Sequence, residues 1–168
     1  MPVFEAHHFK YIISNSWPTK LPATFFKLAG IEAMNVHSSC LPYYRGGNRT
    51  YAPLINKEKF SGVTLHTLND ELDAGAIIKR IKFPIDKHET PKSLVRKGAT
   101  YINDLLLEGL KIAGQKDNYL PNPPSPMYYS CGYAVYLKFK AVNFFRSLCK
   151  LPTLKLTPGK RHKFFDKI

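Results

Sequence analysis

The chain has 168 residues, of which 44% are hydrophobic and 22% are charged, and its formal net charge is +13 at pH 7. This composition is typical of one folded domain of ordinary size, and it excludes wholesale disorder as well as an apolar run of eighteen residues that could span a membrane. The positive charge favours an anionic partner such as nucleic acid, anionic lipid or a phosphorylated small molecule.

The first part of the sequence predicts strands and short helices in alternation. Residues 9–17 combine aromatic and β-branched side chains and run into prolines, as a strand that leads into a loop does. Pro22 suits the first turn of a helix, and Gly30 suits its end. The predicted elements are, in order, a strand over 9–17, a helix over 23–28, a strand over 33–37, a loop over 41–47 and a short helix over 50–56.

The middle of the sequence predicts two further strands and a long helix. Residues 63–68 alternate less than a half-exposed strand does, which favours a strand covered on both faces, and a second strand is predicted over 76–83. Thr90 is a candidate N-cap and Pro91 a favoured first helical residue, so a helix is expected from there to about residue 113. Strands and helices in this order define the α/β class.

The rest of the chain predicts a linker and a basic extension. Residues 120–127 read L-P-N-P-P-S-P-M, and this proline content favours an extended linker. We expect a core over 1–117, a proline-rich linker over 118–130 and a basic extension over 131–168, with a helix over 133–150. The polar residues of this helix fall on one stripe: Asn143, Arg146, Ser147 and Lys150.

The role of this extension is open from sequence alone. Nine lysine and arginine residues from Lys138 onward are opposed by a single carboxylate, Asp166. The extension is a solvated basic segment, a helix on an anionic membrane surface, or an arm for nucleic acid or polyphosphate. Phe144, Phe145 and Leu148 suit a bilayer interface, but the same side chains could also dock on the domain itself.

Localisation and redox state follow from the start of the chain and from the cysteines. Residues 1–10 lack the apolar stretch of a secretory signal, so a cytoplasmic protein is expected. Cys40, Cys131 and Cys149 are widely spaced and form no C-x-x-C pair. This pattern indicates reduced thiols, and neither a disulfide framework nor a structural metal site.

Between Asn35 and Arg80 the sequence holds an amide, two imidazoles and a carboxylate, the groups that move protons and stabilise an oxyanion near neutral pH. Asn35 and His37 are two residues apart on a predicted strand, so their side chains share one face. They lie at a strand end, where open α/β sheets usually bind ligands. Asp73, in a loop after another strand, could orient His37 or take a proton.

The pattern as a whole resembles the formyltransferases that use 10-formyltetrahydrofolate as donor, over roughly residues 9–113. Both of their motifs are present: N-x-H-x-S-x-L-P-x-x-x-G begins at Asn35, and G-V-T-x-H at Gly62 leads to D-x-G at Asp73. The resemblance implies that an amine of the acceptor attacks the formyl carbonyl. It also implies that Asn35 and His37 stabilise the oxyanion while Asp73 assists proton transfer.

The resemblance further implies a pocket for the folate donor, lined by the loops 17–21 and 70–74. The implied cofactor-binding residues are Trp17, Pro18, Leu21, Asp70, Leu72 and Ala74. For each of two other residues, two interpretations remain open. His66 is either a satisfied core histidine or a support for His37, and Arg45 either holds a phosphate or carboxylate or is a solvated loop arginine.

Within that family, the runs Y-R-G at 44–46 and D-A-G-A-I-I at 73–78 look most like enzymes that formylate amino groups of nucleotide-linked sugars. Glycinamide ribonucleotide and methionyl-tRNA formyltransferases share the same three residues, so a fragment of either is an alternative. A third alternative is a catalytically impaired protein that keeps the fold and binds an anionic surface.

Family members open with a β-α-β-α-β half that is not recognisable here. The expected structure is therefore a partial Rossmann-like sheet of the formyltransferase type, equivalent to the C-terminal half of the catalytic domain. The strand over 9–17 would then present an unpaired edge. Such an edge favours a homodimer or a second polypeptide that supplies the missing half.

Overall fold

A computed structural model of the chain describes residues 8–17, 20–22, 30–128 and 132–158. Within these residues the strands are β1 (Tyr11–Asn15), β2 (Glu32–His37), β3 (Arg45–Gly46), β4 (Phe60–Thr67), β5 (Ile77–Pro84) and β6 (Met127–Tyr128). The α-helices are α1 (Tyr51–Ile55), α2 (Pro91–Thr100), α3 (Ile102–Ile112) and α4 (Tyr133–Leu148). The predicted α/β class is confirmed. The helix predicted over 23–28 lies outside the described residues.

The central sheet has the strand order β1-β2-β4-β5. β1 and β2 run parallel, whereas β4 is antiparallel to both of its neighbours, β2 and β5. The register places Asn35 between Ser14 on β1 and His66 on β4. This register brings the polar residues of three strands together at one point of the sheet. β1 is an outer strand of the sheet that the described residues form.

One hydrophobic core lies between the sheet and the two helices that follow it. α3 contacts both β4 and β5, and Leu65 and Leu105 are fully buried where they meet. Burying each of these leucine side chains stabilises the fold by about 2 kcal/mol. The buried members of this core are Met34, Val36, Val63, Leu65, Ile78, Phe83, Leu94, Leu105 and Ala113.

The helix predicted from Thr90 begins as expected but is divided in two. Thr90 accepts a hydrogen bond from the Ser93 amide, and the Ser93 hydroxyl accepts one from the Thr90 amide, which completes a capping box. At Tyr101 the amide bonds to the Gly98 carbonyl three residues back, and the ring stacks on Phe83 at 5.0 Å. This tighter turn separates α2 from α3, which the sequence pattern did not predict.

The proline-rich segment is extended and is held on the core at several points. Leu120 and Ile77 exchange main-chain hydrogen bonds in an antiparallel bridge. Further along, the Ser125 hydroxyl donates to the Pro42 carbonyl, and β6 pairs in parallel with β3. The segment therefore packs across the loops that follow β2 and β4. The domain boundary at 118–130 stays a prediction.

A second, smaller core joins α4 to α1. Ala52 and Ile55 of α1 pack there with Val135 and Tyr136 of α4 and with Leu156, which follows that helix. Asn56 fixes the returning chain, because its side-chain oxygen accepts from the Leu156 amide at 2.8 Å. No helix within the described residues is both long enough and apolar enough to cross a membrane.

Candidate active site

A cavity of about 300 Å³ lies where β1 and β2 end and the loops after β3 and β4 meet. Asn35, His37 and Asp73 all line it. These side chains come from a strand and from a loop far along the chain, and the sheet register brings them together. The geometry therefore places an amide, an imidazole and a carboxylate at one cavity.

Asn35 is fixed by hydrogen bonds to both neighbouring strands. Its Oδ1 accepts from the Ser14 hydroxyl at 2.7 Å, and its Nδ2 lies 3.2 Å from Nε2 of His66. An amide nitrogen carries two hydrogens, and only one is used in the contact with His66. The other hydrogen remains as a donor on a side chain that lines the cavity.

The buried ring of His66 has its tautomer set by its partners. Nδ1 lies 2.9 Å from the Thr67 carbonyl, which can only accept, so Nδ1 carries the hydrogen and Nε2 accepts from Asn35. Burial lowers the pKa of His66 to about 4, and repulsion from His37 adds to this effect. His66 is thus a neutral residue that holds the Asn35 amide in place.

This burial predicts that the protein is less stable in mild acid. Unfolded His66 takes a proton as the pH falls through about 6.5, while the folded protein resists protonation until about pH 4, so the unfolded state binds more protons in between. We expect the contribution of His66 to be fully present above about pH 6.5 and lost towards pH 4, by on the order of 3 kcal/mol. Urea unfolding from about pH 7.5 to about 5.5 measures the first part of this loss, about 1 kcal/mol.

The matched variants are His66→Gln and His88→Gln. The first should reduce the dependence of the free energy of unfolding on pH, because it removes one of the two buried histidines that resist protonation. The second replaces an exposed histidine, so its free energy of unfolding should depend on pH as steeply as that of the unmodified protein. Equal slopes in all three proteins would show that His66 does not titrate as proposed.

His37 and Asp73 form the ionisable pair of the cavity. Nε2 of His37 lies 3.0 Å from the Tyr44 carbonyl and must donate to it, so in the neutral ring Nδ1 is a bare acceptor. Nδ1 faces Oδ2 of Asp73 at 3.4 Å. Burial lowers the pKa of His37, against the opposing effect of Asp73. The pair is therefore arranged to receive one proton between the ring and the carboxylate.

The loop that carries Asp73 is held through its main chain. Asp73 has a φ of 52°, a left-handed conformation that is uncommon for a residue with a side chain. Arg45 donates from Nε and Nη2 to the Leu72 carbonyl at 3.1 and 2.6 Å. Nδ2 of Asn122 donates to the carbonyls of Asp73 and Gly75 at 3.0 and 2.8 Å. These contacts offset the cost of the backbone conformation and fix the direction of the carboxylate.

Only some of the residues predicted to bind the cofactor line the cavity. Trp17, Leu21 and Leu72 line the cavity. Asp70 and Ala74 do not, and the Asp70 carbonyl instead accepts from Lys20. Pro18 lies outside the described residues.

The two residues with open interpretations, His66 and Arg45, are both buried and both hydrogen-bonded within the site. Burial contradicts a solvated Arg45, whose guanidinium supports the Asp73 loop.

Several residues of the site carried no motif signal in the sequence. Ser14 and Asn122 act on Asn35 and on the Asp73 loop from distant parts of the chain, and only the sheet register could have indicated Ser14. The Gly46 amide donates to Oδ2 of Asp73 at 2.8 Å, a main-chain contact that no residue type reveals. Lys20 and Arg49 add two cations to the cavity wall, opposed by Glu71.

A mixed α/β sheet with an asparagine, a histidine and an aspartate at one cavity is the arrangement that the resemblance implied. The sequence model described as "Formyl transferase" matches residues 3–110, well over half of the chain. The chain therefore belongs to the formyl transferase family.

Individual relatives agree with this assignment. The methionyl-tRNA formyltransferase of Lactobacillus delbrueckii subsp. bulgaricus is 37% identical over 121 residues, which are 71% of this chain and 38% of that protein. The chain thus spans under two fifths of the length of this curated relative.

Two solved structures share the fold. HypX from Aquifex aeolicus, in complex with tetrahydrofolic acid, superposes with a TM-score of 0.67 at 22% identity, over 78% of this chain and 23% of that one. WlaRD, a sugar 3N-formyl transferase crystallised with dTDP and 5-N-formyl-THF, gives a TM-score of 0.59 at 24% identity, over 73% of this chain and 47% of that one.

Proposed function

We propose that the chain transfers a formyl group from 10-formyltetrahydrofolate to an amino group. The observation that carries this proposal is the convergence of Asn35, His37 and Asp73 on one cavity, with Nδ1 of His37 3.4 Å from Asp73. Membership of the formyl transferase family supports the same chemistry. A folate donor is further supported by two relatives of the same fold that were crystallised with tetrahydrofolic acid or 5-N-formyl-THF.

Each side chain has a step that its hydrogen bonds allow. The acceptor nitrogen forms a bond to the formyl carbon, whose oxygen becomes an oxyanion, and the free N–H of Asn35 stabilises that charge. The proton released by the nitrogen passes to Nδ1 of His37, and Asp73 stabilises the resulting imidazolium. The charged ring then also stabilises the neighbouring oxyanion. When the oxyanion collapses, the bond to the folate nitrogen breaks, and that nitrogen takes the proton.

This assignment refines the role expected for His37. Neutral His37 already donates its one hydrogen to the Tyr44 carbonyl, so it has no donor for an oxyanion until a proton arrives at Nδ1. The proposed order is therefore proton acceptance first and oxyanion stabilisation second. Asn35 is the donor that is ready from the start.

For the acceptor we propose an amino sugar linked to a nucleotide, as the runs Y-R-G and D-A-G-A-I-I indicate. Lys20 and Arg49 on the cavity wall favour an acceptor or donor that carries negative charge. Methionyl-tRNA is the second candidate, and the 37% identity to a methionyl-tRNA formyltransferase favours it. Both acceptors present a primary amine beside a polyanion, so the catalytic residues are the same for either.

Titration calorimetry with 5-formyltetrahydrofolate tests the donor site. We expect a dissociation constant below about 1 mM, weakened roughly tenfold in Leu72→Ala, because that side chain lines the cavity. Leu110→Ala is the matched control, since Leu72 and Leu110 are 40% and 39% exposed and Leu110 lies on α3, away from the cavity. No detectable heat with millimolar ligand would contradict a folate site in this chain.

Incubation with 10-formyltetrahydrofolate and each acceptor separates the two candidates. We expect a mass increase of one formyl group on a dTDP-linked amino sugar and a smaller yield on methionyl-tRNA. The reverse order would assign the chain to the tRNA acceptor. Folate binding without formylation of either would favour the catalytically impaired protein.

A further inference from the structure

α4 carries two apolar faces, only one of which is used in the fold. Val135, Tyr136 and Asn143 face α1 and the returning chain and are buried. Tyr133, Leu137, Phe144 and Leu148 recur at spacings of four and seven residues, so they share the opposite side of the helix. All of these four side chains are exposed, with Phe144 and Leu148 at 61% and 67%.

Polar side chains on the buried face of α4 hydrogen-bond to the returning chain, so the orientation of the helix is fixed with this stripe outward. Asn143 donates to the Leu154 carbonyl at 3.0 Å and accepts from the Leu154 amide at 2.7 Å. Nε of Arg146 donates to the Pro152 carbonyl at 2.7 Å. The polar stripe predicted from sequence therefore faces the returning chain, and the apolar stripe faces outward. Phe144 and Phe145 keep most of their surface exposed, at 61% and 64%.

The charges that α4 and the chain after it contribute all have one sign. Residues 132–158 contain no aspartate or glutamate, and their basic residues are Lys138, Lys140, Arg146, Lys150 and Lys155. Lys140 lies one helical turn before Phe144, and Lys150 follows Leu148 by two residues. Phe145 and Leu151 are also exposed and extend the apolar area. Glu58, Asp86 and Glu89 line a groove on one side of Phe144, so the cations border the stripe along its own segment. An apolar stripe in a segment whose charges are all positive is complementary to a surface that is apolar inside and negatively charged outside.

We propose that this face of α4, the stripe Tyr133–Leu137–Phe144–Leu148 with its bordering lysines, binds the surface of an anionic lipid bilayer. The helix lies in the plane of the headgroups, the leucine and aromatic side chains enter the acyl region, and the lysines contact lipid phosphates. Tyrosine and lysine suit this position because each joins an apolar stem to a polar tip. None of the stripe residues lines the cavity, so the surface and the proposed active site are separate.

Other occupants fit the same observations less well. A second copy would bring two sets of lysines together without any carboxylate in 132–158 to pair with them. A nucleic acid would be attracted by the cations, but Leu137 and Leu148 offer it neither charge nor a ring for base stacking. Only the lipid surface uses both the charges and the apolar stripe.

Co-sedimentation of the full chain with lipid vesicles tests the proposal. We expect binding to phosphatidylcholine vesicles that contain about one third phosphatidylglycerol, and at least roughly tenfold weaker binding to phosphatidylcholine alone. The double variant Phe144→Ala/Leu148→Ala should weaken binding to the anionic vesicles at least roughly tenfold. Lys140→Gln/Lys150→Gln should weaken it as well and reduce its sensitivity to salt.

The matched control is Leu107→Ala/Leu110→Ala, which removes two exposed leucine side chains, 65% and 39%, from α3. Its vesicle binding should equal that of the unmodified chain. Because all of the altered side chains are exposed, circular dichroism and thermal unfolding should show that each variant folds as the unmodified chain does.

Three outcomes would overturn the proposal. The first is that the unmodified chain and every variant sediment equally with neutral and anionic vesicles, or that they sediment with neither. The second is a dimer in sedimentation equilibrium that Phe144→Ala/Leu148→Ala dissociates, without vesicle binding, which would assign the stripe to a second copy. The third is binding to a single-stranded RNA that this double variant leaves unchanged, again without vesicle binding.

Discussion

Replacing His37 by alanine is expected to lower kcat for formyl transfer at least a hundredfold, a larger loss than any change in folate affinity. The substitution removes Nδ1, the only atom of the ring that can accept a proton, because Nε2 is engaged with the Tyr44 carbonyl. A hundredfold loss corresponds to about 3 kcal/mol of transition-state stabilisation, a usual cost for a central catalytic group. The measurement is steady-state formylation of the better acceptor, with 5-formyltetrahydrofolate calorimetry on the same variant.

Three further results distinguish chemistry from damage to the fold. His88→Ala, which changes an exposed histidine, should keep full activity. Added imidazole should restore part of the lost rate in His37→Ala, since it can accept the proton in the vacated space. In the unmodified chain, kcat should fall as the pH drops through the lowered pKa of His37, because the protonated ring cannot accept. Unchanged turnover in His37→Ala would reject the assignment.

The sequence predicted the central residues of this site because they lie in short sequence motifs. Asn35 and His37 are two residues apart on one strand, so periodicity places them on one face. The convergence of Asp73 with them was implied by the motifs shared with the formyltransferases. The supporting contacts were not predictable in that way. Asn122 reaches the Asp73 loop from 49 positions along the chain, and its place in a proline-rich run gave no reason to expect it there.

The same distinction holds for the fold. The strands over 33–37 and 76–83 and the start of the helix at Thr90 were predictable from propensity and capping. The break at Tyr101 was not, since it depends on a ring that stacks on Phe83 from another element. For α4 the sequence predicted the helix and its polar stripe, but only the tertiary contacts of Asn143 reveal which stripe faces inward.

Gly75→Ala is expected to lower the free energy of unfolding by at least about 3 kcal/mol. A Cβ at this position would lie 1.7 Å from the Thr67 carbonyl oxygen, so the main chain of β4 or of the Asp73 loop has to move. The same carbonyl fixes the tautomer of His66, and the Gly75 carbonyl accepts from Asn122. The displacement should therefore also lower formyl transfer. Urea unfolding at neutral pH measures the first effect, and the formylation assay measures the second.

Gly98→Ala provides the matched control, because the same methyl group has room there. Its Cβ would lie 3.6 Å from side-chain atoms of Phe83 and Val63, an ordinary contact distance. Gly98 is inside α2, where alanine is a better helix former than glycine by about 1 kcal/mol. The control should therefore stabilise the protein, while Gly75→Ala destabilises it. If both substitutions shifted the urea midpoint in the same direction, the close approach of Gly75 to β4 would not be the reason that glycine occupies this position.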